Sequence, residues 1–144
     1  MRKKVKKIQG FTLIEVLIVM VIIGLLAALV GPKMFGKTGK AKQKAAKSQI
    51  SLFETAIDTY RLDMGRFPAD MKDLREKPRT EKEEKKWEGP YLPKEIPPDP
   101  WGNPYEYKSP GEHGPYDIIS YGADGSPGGE GENEDIVSWK NIGE

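Results

Sequence analysis

The sequence predicts an α+β fold in which one long N-terminal, membrane-spanning helix packs on a small antiparallel sheet domain with loops pinned to its surface. Three observations predict this fold. An apolar run fills residues 11–30, a helical apolar pattern continues to about residue 62, and short β-type segments between Gly/Pro-rich turns follow residue 104. The 144 residues suffice for one modest domain with a small core.

The apolar run has the length of a membrane span. Its 20 residues, Phe11 to Val30, would form a helix about 30 Å long, which matches the hydrocarbon core of a bilayer. Residues 1–10 carry five basic groups and no acidic one, so we expect a cytoplasmic N-terminus with the rest of the chain outside. A secretory signal peptide would have a shorter apolar core and a small-residue cleavage site, which Ala27-Ala28-Leu29 matches poorly.

One carboxylate, Glu15, lies inside this apolar run. A charged side chain at the centre of a span costs about 2.5–3.5 kcal/mol, and less near the interface. The span contains no basic residue that could neutralise it. We therefore expect the partner of Glu15 to come from another chain, or from a charge that is created later.

The apolar pattern resumes after Gly31-Pro32, where proline removes one backbone hydrogen bond. The stripe of residues spaced by three and four consists of Ile50, Phe53, Ile57, Tyr60 and Met64, with Leu52 and Ala56 beside it. This spacing predicts one helix from about Phe11 to Leu62 whose outer half packs on the globular domain. The Gly65–Pro68 segment is expected to end it.

Composition excludes several functional classes. The chain has no cysteine and one histidine, His113, which excludes disulfides, thiolate nucleophiles and multi-histidine metal centres. Neither a phosphate-binding loop nor an activated nucleophile is recognisable, so we do not expect an enzyme. Lysines follow the span at positions 33, 37, 40, 42, 44 and 47. Next to a membrane they suit anionic lipid head groups better than nucleic acid.

The middle of the chain is predicted to consist of loops with little regular structure. We expect a short helix over residues 69–77 and a solvated charged loop over residues 75–88, in which Trp87 anchors the end. Six prolines within residues 89–107 exclude a regular helix or a central strand there. Tyr91, Leu92, Ile96 and Trp101 are spaced to pin this segment to a surface, and a strand is expected over residues 105–108.

The C-terminal region combines two predicted strands, residues 116–121 and 136–139, with an acidic loop between them. The loop carries Asp124, Glu130, Glu132, Glu134 and Asp135. Hard oxygen ligands on a flexible, glycine-rich loop suit Ca²⁺. The spacing is neither that of an EF-hand nor that of a calcium-binding repeat, so a solvated hairpin loop explains these residues equally well.

The segment KIQGFTLIEV, residues 7–16, resembles the class III signal of type IV pilin-like proteins. In that pattern a short basic leader ends in glycine, and phenylalanine, a Thr-Leu-Ile-like segment and glutamate follow. The resemblance implies that a prepilin peptidase cuts between Gly10 and Phe11 and methylates the new N-terminus of Phe11. It also implies that Glu15 meets the Phe11 amine of a neighbouring subunit when helices pack into a filament. Such a pair would set the axial register between identical subunits.

Residues 89–115 are similar to the conserved loop of major pseudopilins of type II secretion systems, in which Leu-Pro and Asp-Pro-Trp-Gly precede a tyrosine-containing strand. In that family a G-P-D-G turn and an acidic D-D-I segment hold a structural calcium ion. Residues 122–125 and 134–136 match these two parts, with Glu134 where aspartate is usual and with a longer loop between them. The ligands that the resemblance implies are the side chains of Asp124, Asp135 and Glu134 and the main-chain carbonyls of Tyr121 and Ser126.

The resemblance thus implies a pilin-like protein with three parts. Residues 1–10 would be a cytoplasmic leader that is removed, residues 11–31 the transmembrane and filament-core half of the helix, and residues 32–144 a periplasmic domain. The implied function is that of the major subunit of a pseudopilus, which drives export of folded proteins across the outer membrane. Its implied partners are further copies of itself, prepilin peptidase, minor pseudopilins and an inner-membrane assembly platform.

The sequence is also compatible with two other functions. A type IV pilin for adhesion, motility or DNA uptake would share the N-terminal motif, although major pilins often carry a C-terminal disulfide that this chain lacks. A membrane-anchored, calcium-dependent binding module that never polymerises would need neither cleavage after Gly10 nor Glu15.

Overall fold

The computed structural model describes the backbone of residues 10–142 and the side chains of residues 10–29 and 38–142. The basic cluster and residues 1–9 of the predicted leader lie outside the described residues, as do the side chains of the lysines at positions 33 and 37. The chain divides into two compact units between Lys37 and Thr38, and each unit is described by itself.

The long helix α1 spans Leu13–Met64, which confirms the predicted helix to within two residues at each end. Its backbone is helical at Pro32, where the sequence indicated an interruption. The helix ends because Gly65 adopts a positive φ of 72°, while its N–H donates to the carbonyl of Arg61 over 2.9 Å. In the described parts of the chain, no helix combines the length and hydropathy that crossing a membrane requires.

The outer half of α1 supplies the centre of the core. Ile50, Phe53 and Ile57 are 0% exposed and Tyr60 is 1% exposed, so the predicted apolar stripe is confirmed. Leu52, which was placed beside the stripe, is 60% exposed and packs little, because it lies a third of a helical turn from Phe53. Phe53 and Tyr105 pack in a T-shaped arrangement with 5.2 Å between ring centroids, which joins the proline-rich segment to the helix.

Two short helical turns follow α1. The first is a 3₁₀ turn over Met71–Leu74, shorter than the helix predicted over residues 69–77. A capping box between Asp70 and Asp73 holds it, and Met71 and Leu74 are buried. The second is α2, Glu81–Glu84, a single turn within the charged loop. Trp87 packs against the core beside Tyr91, with 5.8 Å between their rings, which agrees with its predicted role as an anchor.

The sheet is antiparallel and three-stranded, in the order β1-β2-β3. Strand β1 is Glu106–Lys108, β2 is Asp117–Ser120 and β3 is Ile136–Val137, so each predicted strand exists but is shorter than expected. Tyr107 pairs with Ile118, and Ser120 pairs with Ile136. All four residues of β2 are buried, because α1 covers one face of the sheet and the surrounding loops cover the rest.

Candidate functional site

The N-terminal motif forms a capping box at the start of α1. Thr12 donates to Oε2 of Glu15 from its main-chain nitrogen (2.8 Å) and from its hydroxyl (2.7 Å). The main-chain nitrogen of Glu15 lies 3.3 Å from the Thr12 hydroxyl oxygen and donates to it. This reciprocal pairing of threonine with a glutamate three residues later satisfies N–H groups that the first helical turn leaves free.

The capping box gives Glu15 a neutral partner in its own chain, because its carboxylate accepts from Thr12. The predicted charged partner from another chain stays a prediction. The signal for the capping box was present in the sequence as Thr-x-x-Glu ahead of an apolar run. Thr12 supplies two neutral donors and no positive charge, so the charge of Glu15 stays uncompensated within the capping box.

The side chains that follow this motif form an apolar surface. From Phe11 to Leu29 the large apolar side chains are 48–88% exposed within their unit. At about 25 cal/mol per Å², covering such a surface is strongly favourable, whether lipid or neighbouring chains provide the cover. Gly10, at the predicted cleavage point, is exposed and precedes the helix.

The acidic loop begins where the proline-rich segment is fastened to the sheet. Asp99 is 4% exposed, and its Oδ1 accepts from the main-chain nitrogens of Trp101 (3.0 Å) and Asn103 (2.8 Å). Its Oδ2 accepts from the hydroxyl of Ser120 on β2 over 2.6 Å. The Asn103 amide donates to the carbonyl of Gly122 over 2.8 Å, so this turn holds the first residue of the acidic loop.

Within the loop, the two predicted aspartate ligands each bind a main-chain nitrogen. Oδ1 of Asp124 accepts from Ser126 over 3.1 Å, and Oδ2 of Asp135 accepts from Gly128 over 2.9 Å. The other oxygen of Asp135, Oδ1, is buried and has no hydrogen-bond partner. An unpaired, buried carboxylate oxygen is costly, and a hard cation would satisfy it. The loop residues fit Ca²⁺ in this respect.

Glu134 points to a different neighbour. Its Oε2 lies 3.4 Å from the amide nitrogen of Gln43 on α1, so its carboxylate faces the helix. Over the described part of the chain, no three His, Cys, Asp or Glu side chains come together in a group that could hold a metal ion. The structure therefore does not bring Asp124, Glu134 and Asp135 together, and any cation here would depend on main-chain carbonyls as well.

Tyr121 and Ser126 were predicted to contribute main-chain carbonyls. The side chain of Tyr121 is used elsewhere, since its hydroxyl donates to Oε2 of Glu106 on β1 over 2.5 Å. This bond to the Glu106 carboxylate, together with burial, raises the pKa of Tyr121 to about 12. Ser126 closes the turn that starts at Asp124. Both residues thus flank the start of the loop.

The sequence patterns did not predict three contacts between α1 and the C-terminal region. Gln43 is 6% exposed and donates to the carbonyl of Gly131 over 2.6 Å. Lys47 donates to three main-chain carbonyls, at Val137, Ser138 and Lys140, over 2.7, 3.2 and 2.6 Å. Gly39 leaves room for Glu132, whose Cγ would lie 2.5 Å from an added Cβ. Their spacing of four residues, which places them on one helical face, was the available signal.

His113 lies in a Gly/Pro-rich segment and is held there by two side-chain contacts. Its ring stacks on Trp139 with 3.8 Å between centroids, and its Nδ1 lies 3.1 Å from Oδ2 of Asp117. Burial opposes ionisation of Asp117, but hydrogen bonds from Glu112 and His113 outweigh it, so its pKa lies below the usual value. The pair ties the Ser109–Gly114 loop to the end of the sheet.

The chain resembles two described protein families over adjoining regions. Residues 5–31 match the prokaryotic N-terminal methylation motif, and residues 33–139 match protein G of the type II secretion system.

Individual relatives agree with these matches. A type II secretion system core protein G from Pseudomonas aeruginosa is 43% identical over 136 residues, which cover 92% of this chain and 96% of the relative. A core protein G from Vibrio cholerae is 44% identical over 140 residues, with 95% of each chain covered. The crystal structure of the major pseudopilin from the type 2 secretion system of enterohaemorrhagic Escherichia coli matches with a TM-score of 0.61 and 33% identity. That match covers 75% of this chain and 95% of the solved one.

Proposed function

The chain belongs to the protein G family of the type II secretion system, and from this premise we propose that it is the major structural subunit of a pseudopilus. The subunit is cleaved after Gly10, methylated at Phe11 and polymerised from the inner membrane into the periplasm, where the filament drives export of folded proteins. The observation that carries the proposal is the exposed apolar surface that starts at Phe11 and continues along the first half of α1, beside a carboxylate without a compensating charge.

The first half of α1 supports both locations that this function requires. Its apolar side chains suit lipid before assembly and neighbouring helices after assembly. Cleavage would create a positive amine on Phe11, four residues before Glu15. In a filament the amine of one subunit and the Glu15 carboxylate of the next would form a pair, which is favourable because both charges are costly in an apolar core.

The capping box makes a sharp test of this pairing possible. Glu15→Gln keeps an oxygen that can accept from Thr12 but removes the charge, whereas Glu15→Ala removes both. We expect both variants to insert into the membrane and to fail in filament assembly, measured by shearing and electron microscopy of cells that produce the secretion system. Filaments formed by Glu15→Gln at the wild-type level would refute the pairing, and would leave the cap as the role of Glu15.

The proposal includes the partners of such a subunit. Copies of the chain would form the filament, prepilin peptidase would process it, and minor pseudopilins and an inner-membrane platform would assemble with it. An anchored binding module would instead retain the leader and stay monomeric. Cross-linking of the chain in its native membrane distinguishes the two functions, since a ladder of homo-oligomers is expected only from a polymerising subunit.

We also propose a structural Ca²⁺ ion in the acidic loop. The carboxylates of Asp124 and Asp135 and the carbonyls of Tyr121 and Ser126 would hold it, with Glu134 as a further candidate. The ion would supply positive charge to a loop of like charges and would satisfy Oδ1 of Asp135. In a fragment that starts at Thr38, EGTA should lower the melting temperature, and calcium but not magnesium should restore it. A melting temperature that EGTA leaves unchanged would refute the proposed calcium ion.

A further inference from the structure

We infer that Gln43 of α1 is a positioning residue for the acidic loop and for the Ca²⁺ ion proposed there. The inference rests on the proposed calcium site and concerns a side chain that the family resemblance does not assign. Gln43 is 6% exposed, so its amide has little access to water and depends on the loop for its hydrogen bonds. The amide nitrogen donates to the Gly131 carbonyl over 2.6 Å and lies 3.4 Å from Oε2 of Glu134.

The contact with Gly131 fixes the backbone four residues before Asp135, a proposed ligand. The segment Gly131–Asn133 is a 3₁₀ turn, and the carbonyl of Glu132 accepts from Ala123 across the loop over 2.8 Å. Asp135 follows, with Oδ2 bound to the nitrogen of Gly128 and Oδ1 buried without a partner. Gln43 therefore holds the turn from the helix side, while the loop closes on itself from the other side.

The hydrogen bond to Glu134 adds a second consequence. By donating to Oε2, Gln43 holds the carboxylate of Glu134, the further candidate ligand, on the side of the loop that faces the helix. Positioning would thus act in two ways, by fixing the turn that precedes Asp135 and by fixing the carboxylate of Glu134. Because the coupling of two equilibria is reciprocal, an ion in the loop would also hold residues around Gln43 in their helical conformation.

The test compares Gln43→Leu with Gln49→Leu in the full chain in detergent, with Ca²⁺ as the titrant. Gln49 lies on the same helix, beside Leu52 and Leu92 and remote from the loop in its contacts. Loss of one hydrogen bond corresponds to about three- to tenfold weaker binding. We expect calorimetry to give a calcium Kd raised by this factor for Gln43→Leu and unchanged for Gln49→Leu. Gln43→Met, which is closer in length to glutamine, is measured instead if Gln43→Leu folds poorly, and the same rise in the calcium Kd is expected.

Terbium luminescence supplies a readout that a merely stabilising residue would not change. Lifetimes in H₂O and D₂O count the waters on bound Tb³⁺, and displaced ligands should raise this count in Gln43→Leu above the count in Gln49→Leu. Calcium affinity and hydration equal in the two variants would overturn the role of Gln43 alone. A wild-type chain that binds no calcium would overturn the calcium site itself, and this inference with it.

Discussion

Replacing Asp99 by alanine is expected to remove about 3–5 kcal/mol of unfolding free energy. The carboxylate accepts three hydrogen bonds, two from the main chain of its own turn and one from Ser120 on β2. Ser120 is 0% exposed, so its hydroxyl gains no water when Asp99 is lost. An unsatisfied buried donor costs about 1–3 kcal/mol, and the two part-buried main-chain donors account for the rest.

Asparagine at this position keeps the shape of the side chain and most of its hydrogen bonds but removes the charge. Its carbonyl oxygen can accept from the turn, and its amide can donate to a reoriented Ser120 hydroxyl, so Asp99→Asn should cost about 1 kcal/mol. Glu95→Ala, an exposed change in the same segment, should stay within about 0.5 kcal/mol of wild type. The assay is urea unfolding of a fragment that starts at Thr38, followed by tryptophan fluorescence. A loss below about 1 kcal/mol for Asp99→Ala would contradict the role of these three hydrogen bonds in stability.

Three further predictions use the same fragment. Ile57→Ala should cost about 2–5 kcal/mol because Ile57 is fully buried, whereas Leu52→Ala should cost no more than about 0.5 kcal/mol; equal losses would contradict the assigned core. Lys47→Met should cost about 1.5–3 kcal/mol by freeing three carbonyls, and Lys44→Met, its exposed neighbour, should be neutral. Asp117→Asn should lower the unfolding free energy of the fragment at pH 7, and its difference from wild type should shrink as the pH falls below 3.8. The reason is that the lowered pKa of Asp117 stabilises the folded state only while the carboxylate is ionised. A difference that is independent of pH would contradict this.

The elements of the fold could be predicted because their patterns are local. The apolar spacing of Ile50, Phe53 and Ile57 defines a helical face, and Gly65 with Pro68 marks its end. The strands were predicted longer than they are because alternation in the sequence does not show where a ladder loses its partner. Leu52 was misjudged for a related reason, since only the three-dimensional packing decides which edge of an apolar stripe is covered.

The candidate sites also differ in whether their residues are close together in the sequence. The N-terminal motif lies within six consecutive residues, so the resemblance to the class III signal could be recognised there, and with it the implied cleavage point and the implied role of Glu15. The Thr12 cap could be recognised from the same six residues. The contacts of the acidic loop join residues about ninety positions apart, such as Gln43 with Gly131. The four-residue spacing of Gly39, Gln43 and Lys47 marks one helical face but does not identify the segment that packs on it. The sequence around His113 likewise does not indicate that its ring stacks on Trp139.

Whether this chain is processed and polymerised as a pseudopilin can be tested by the intact mass of the protein extracted from its native membrane. We expect a mass that begins at Phe11 and carries one additional methyl group, which provides the amine that Glu15 requires. A mass that begins at Met1, in a cell with an active prepilin peptidase, would contradict the account and favour a membrane-anchored binding module.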